Sequence, residues 1–93
     1  MTKWSFLTKH GRVLLCIARD PGVRLRDIAS SLDITERSAY TIVGDLATAG
    51  YLLKEREGRR NHYVVQRHLP LPESALDERT IGDVLELLLA ASP

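Results

Sequence analysis

LRDIASSLDITERSAYTIVGDLATAG, residues 25–50, reads as two helices of unequal length joined by a tight turn. Leu25, Ile28, Ala29 and Leu32 fall at helical spacing, so one face of the first helix is apolar while Arg26, Asp27, Ser30 and Ser31 occupy the other. Thr35 stands where an N-cap accepts a hydrogen bond from an otherwise unpartnered amide, and Ala39, Ile42, Val43 and Leu46 repeat the apolar stripe. Gly50, ahead of apolar Tyr51 and Leu52, is placed to end the second helix in the left-handed conformation.

Two amphipathic helices with so short a connection must cross steeply. The outer face of the second is then uncovered, with Arg37, Ser38, Tyr40, Thr41, Gly44 and Thr48 on it, which is the pattern of a helix-turn-helix. An ordinary helical corner with a solvated polar face has the same pattern, and the next residues weigh against it. Residues 51–57 (YLLKERE) and 61–67 (NHYVVQR) are strand-like runs separated by Gly58, Arg59 and Arg60, a three-residue hairpin loop.

With the hairpin directly after the second helix, DITERSAYTIVGDLATAGYL followed by KEREGRRNHY resembles the winged helix-turn-helix of MarR-like and ArsR-like bacterial transcriptional regulators. WSFLTKHGRVLLCIARDPGVRLRDIA is similar to the opening of a small actinobacterial-type branch of these regulators, so the likeness covers nearly the whole chain. It implies an α+β, mainly helical fold: a winged helix-turn-helix with a three-helix core, a β-hairpin wing and an extra C-terminal helix. One residue departs from the pattern. Arg24 sits where Ser, Thr or Asp would cap the first helix of the motif, which leaves the start of that helix open by a residue or two.

At 93 residues the chain is expected to form one small core. With 44% apolar and 27% charged residues it has the composition of an ordinary globular protein, and without an apolar run near membrane-spanning length or a leader pattern it is expected in the cytoplasm. Cys16 is the single cysteine, so an internal disulfide and a thiolate cluster are both excluded, including the metal motif of some ArsR-like sensors. His10, His62 and His68 have no ligand-like spacing. No metal and no cofactor are therefore expected. Nucleophile–base pairs, paired carboxylates and phosphate loops are also missing at usable spacing, which argues against an enzyme.

A formal charge of +1 hides a segregation. Residues 1–50 carry a net +2, residues 51–72 a net +3 and residues 73–93 a net −4. The basic excess thus lies mainly on the hairpin, and the acidic end would be repelled by a phosphate surface.

These features predict double-stranded DNA as partner, with helix 35–49 in the major groove and wing 54–62 on the flanking backbone or minor groove. Thr35, Glu36, Arg37, Ser38, Tyr40 and Thr41 are the candidate readers. Arg37 suits guanine O6 and N7, Glu36 suits cytosine N4, the threonine methyls suit a thymine methyl, and Tyr40 suits a phosphate. Glu36 also complements the helix dipole with no DNA present, and Gly44 is equally explained by tolerated drift. On the wing, Lys54 and Arg56 alternate to one face while Arg59, Arg60 and Asn61 gather at the tip, suited to a phosphate or a narrow minor groove.

Thr8 is a plausible cap for a first helix that runs from Lys9 to near Asp20, with Val13, Leu14, Ile17 and Ala18 as its stripe and Pro21 and Gly22 as its stop. Leu15 and Cys16 broaden it, which suits contact with the helix-turn-helix on one side and with a second subunit or the aromatic N-terminus on the other. Residues 1–68 then form the DNA-binding domain, and the prolines of 69–79 mark an extended linker. Residues 80–93 form a C-terminal dimerisation helix with Thr80 and Asp83 as a capping box. Ile81, Val84, Leu85 and Leu88 make its stripe, widened by Leu87 and Leu89, and these aliphatics have no evident home within one subunit. The function expected is that of a homodimeric transcriptional regulator. The alternative is a winged-helix module that docks another protein through this Leu-rich helix. Neither an effector nor the operator is legible.

Overall fold

A computed structural model describes residues 7–72 and 78–90. The order is α1 (Lys9–Arg19), α2 (Leu25–Leu32), α3 (Glu36–Thr48), β1 (Leu52–Glu57), β2 (Arg60–Val65) and α4 (Ile81–Ala90). This is an α+β, mainly helical winged helix-turn-helix with an extra C-terminal helix, as the sequence predicts. Trp4 and Phe6, expected to offer α1 an aromatic partner, lie outside the described residues.

Local chemistry sets the helix ends. The Gly11 amide donates to Thr8 Oγ1 at 3.1 Å and the Ser38 amide to Thr35 Oγ1 at 3.0 Å, so both expected caps form. At α4 the capping box is reciprocal: Asp83 N–H donates to Thr80 Oγ1 at 3.1 Å, and Thr80 N–H to Asp83 Oδ2 at 3.0 Å. Gly50, with φ of 90°, ends α3, and the Tyr51 amide reaches back to the Leu46 carbonyl at 2.9 Å. The turn between α2 and α3 uses a residue not anticipated for that conformation: Asp33 adopts φ 56°, the left-handed well usually left to Gly or Asn. That kink lets Ile34 N–H donate to Ala29 O and redirects the chain into α3.

The stripes of α1, α2 and α3 converge on one core. Val13, Ile17, Ile28 and Leu52 are its largest fully enclosed side chains, joined by Leu14, Leu32, Ile42, Val43 and Leu46. Removing such a side chain from water contributes about 1.5–3 kcal/mol each. His10 Nε2 lies 2.8 Å from Asp45 Oδ2 and ties the outer surface of α1 to α3.

The strands pair antiparallel from Leu52↔Val65 to Glu57↔Arg60. The loop therefore holds two residues, Gly58 and Arg59, and the expected three-residue loop is corrected: Arg60 is the first residue of β2. Gly58, with φ of 60°, takes the first turn position, where positive φ matches the twist of the flanking strands. The hairpin is not free-standing. Tyr63 N–H donates to Pro21 O at 3.1 Å, so the loop between α1 and α2 lies along the edge of β2.

Within the stretch expected as a linker, the described residues 69–72 and 78–79 are mostly bends and turns, and its two ends are joined. Pro70 and Thr80 form an antiparallel bridge, flanked by bonds from Leu71 N–H to Arg79 O and from Ile81 N–H to Leu69 O. This return lays α4 against α1 and sets Ile81 and Leu85, 4% and 3% exposed, in the same core. The expectation that the aliphatics of α4 lack an intramolecular home is corrected for these two residues. Val84, Leu88 and Leu89 are half-buried, and Leu87 is 74% exposed.

Candidate nucleic-acid interface

Ala39, Ile42, Val43 and Leu46 of α3 point inward, which turns Glu36, Arg37, Ser38, Tyr40 and Thr41 to the surface. Thr35, the N-cap, is exposed beside them. Their polar groups are not equally available. The Thr35 hydroxyl accepts from Ser38 N–H and donates to Ser38 Oγ, so it is committed to capping and presents mainly its methyl. Thr41 Oγ1 donates to Arg37 O at 3.1 Å, which occupies its proton and leaves its lone pairs. The Arg37 guanidinium has no hydrogen-bond or ion-pair partner among the described residues. Tyr40, 66% exposed, stands clear of the core.

On the wing, the register and the two-residue period place Lys54 and Arg56 on the face that also carries Asn61 and Tyr63. Tyr63 is buried, so this face turns toward the helices at its base and projects beyond them at its tip. Burial raises the Tyr63 hydroxyl above the usual tyrosine range, and Tyr40 nearby adds to the rise. Arg56 Nε donates to Gly58 O at 3.3 Å, which fastens that side chain along the turn, and Arg59 occupies the turn itself, exposed.

A cleft of about 440 Å3 runs between the wing and the first turns of α2 and α3, lined in part by Arg24, Arg26, Glu36, Arg59, Asn61 and Tyr63. Arg24 and Arg26 are absent from the sequence-derived site. The signal available for them was the missing cap: Arg24 occupies the N-cap of α2 and makes no side-chain cap bond.

A second, apolar groove of about 470 Å3 lies on the opposite flank, between α1, α4 and the return segment, with Leu14, Leu46, Leu71, Val84 and Leu88 among its walls. Cys16 is half-buried, and burial raises its thiol above the usual range despite the nearby Arg19 and Arg12. Among the described residues no three His, Cys, Asp or Glu side chains gather as a metal site, and no helix is long and apolar enough to cross a membrane.

Solved structures share this fold, two among them being as follows. IscR of T. potens is similar at 19% sequence identity and a TM-score of 0.62, over 98% of this chain and 93% of that one. The PcaV transcriptional regulator from Streptomyces coelicolor, solved in complex with its natural ligand, is similar at 21% identity and a TM-score of 0.54, over 94% of this chain. The chain spans 63% of the PcaV chain. At these identities the likeness establishes the winged-helix fold. No protein-family model matches the chain, and a search of curated proteins finds none that does.

Proposed function

We propose that the protein is a DNA-binding transcriptional regulator of the cytoplasm and not an enzyme. The observation that carries this reading is the uncovered face of α3, where the unpartnered Arg37 and the exposed Tyr40 stand beside a wing bearing Lys54, Arg56 and Arg59. A folded domain gains nothing by leaving a guanidinium unpaired, whereas a major groove offers it guanine O6 and N7. In this reading α3 enters the major groove and the wing lies on the flanking backbone or minor groove. Winged-helix folds shared with a transcriptional regulator support the same assignment.

The protein acts as a homodimer in this proposal, joined through the outer side of α4, where Leu87 is exposed and Val84 and Leu88 border the apolar groove. Two copies double the number of base pairs read. The exposure of Leu87 also fits a module that docks another protein through α4. Titration with a random-sequence duplex at several salt concentrations separates the two: a regulator binds it with an affinity that falls steeply as salt rises, and a protein-docking module shows little duplex affinity at any salt.

A further inference from the structure

The cleft between the wing and the start of α2 is lined by three guanidinium groups from separate positions: Arg24 at the N-cap of α2, Arg26 in its first turn, and Arg59 in the hairpin turn. None of the three has a hydrogen-bond or ion-pair partner among the described residues. Mutual repulsion of three like charges around one cleft is unfavourable in the free protein, so an anion that enters removes a cost as well as forming bonds. Guanidinium forks match phosphate oxygens, two N–H groups to two oxygens. The amides opening α2 have no side-chain cap to compete with such a ligand.

We infer that this cleft grips a DNA backbone phosphate on the strand that separates the two grooves, with Arg24 and Arg26 as its clamp and Arg59 closing it from the wing. The inference rests on the DNA-binding reading above. If α3 occupies the major groove and the wing the adjacent minor groove, one sugar–phosphate strand must pass between them, because that strand is the shared wall of both grooves. The cleft has the same boundaries, α2 and α3 on one side and the wing on the other. Glu36 lines it too, so three guanidinium groups face one carboxylate and the cleft stays net positive. Arg24 and Arg26 therefore position the duplex without reading it, and Arg37 is left to discriminate.

The test compares the full-length chain with Arg24→Ala/Arg26→Ala in titrations of a fluorescent random-sequence duplex over a range of salt. Both side chains are exposed, so the variant keeps its helical circular dichroism and thermal midpoint. The expected result is a roughly tenfold weaker affinity at low salt, equal for random and preferred sequences, and a log–log salt slope shallower by about 1 to 2. Arg24→Lys/Arg26→Lys recovers most of the slope and less of the affinity, because a point charge replaces a fork. A wild-type chain that binds duplex while Arg24→Ala/Arg26→Ala keeps its slope overturns the cleft assignment alone. A wild-type chain with no salt-dependent duplex binding overturns the regulatory reading together with it. Inorganic phosphate that displaces duplex from the wild type but not from the variant, at matched ionic strength, overturns the assignment in favour of a free-anion site.

Discussion

Arg37 and Asp33 show how differently single residues can be read. Arg37 is exposed, unpartnered among the described residues and second in α3, a position from which a base reader could act. Arg37→Ala is expected to cost about 1–3 kcal/mol on a preferred site and to relax preference at one base position, while random-duplex binding stays nearly unchanged. Competition titrations against a randomised library measure this, and equal losses on both kinds of DNA would make Arg37 a backbone clamp. Asp33 is not legible because nothing within three residues demands its left-handed φ of 56°, which serves the packing of α3 against α2. Asp33→Gly should therefore stay within about 1 kcal/mol of the parent in urea unfolding, and Asp33→Val should lose about 1–2 kcal/mol through the clash of its Cβ branch. The caps at Thr8, Thr35 and Thr80 were legible for the opposite reason, since donor and acceptor lie three residues apart in the sequence and no tertiary contact decides them.

At the scale of elements, the helical stripes and the hairpin could be read from periodicity, but the register could not. Glycine and two arginines between strand-like runs fit either a two- or a three-residue loop, and the pairing of Glu57 with Arg60 settles it. The consequence is that Arg59 sits in the turn while Arg60 belongs to a strand. Replacing both by Ala is still expected to weaken specific and non-specific binding alike and to flatten the salt slope by about 2, with the preferred sequence unchanged. A preserved slope in a folded variant removes the wing from the mechanism. Arg24 escaped the sequence-derived site because its significance lies in what faces it across the cleft, and that neighbour is 35 positions away at Arg59. Contacts between remote elements leave no periodic trace.

For the whole molecule, the aliphatic excess of α4 was visible in the sequence, but its division between inside and outside was not. The bridge of Pro70 with Thr80 returns the chain so that Ile81 and Leu85 complete the core. Ile81→Ala should accordingly cost about 2–5 kcal/mol of stability whatever the state of association. Leu87→Glu addresses the outer side instead: sedimentation should show a folded monomer whose unfolding midpoint no longer depends on protein concentration, and a variant that still dimerises would move the proposed contact off Leu87. In the dimer proposed above, where the two readers come to rest would depend on a joint of one residue. Gly82 N–H donates to Arg67 O at 3.0 Å, and a Cβ on Gly82 would stand 2.8 Å from that same oxygen. The first turn of α4 is thereby riveted to the chain as it leaves the wing, with no side chain to act as a spacer. In the proposed dimer, Gly82→Ala would prise that rivet open and swing each wing relative to the axis of the pair, so the pitch at which two half-sites are measured out along the duplex would be written into a missing methyl group.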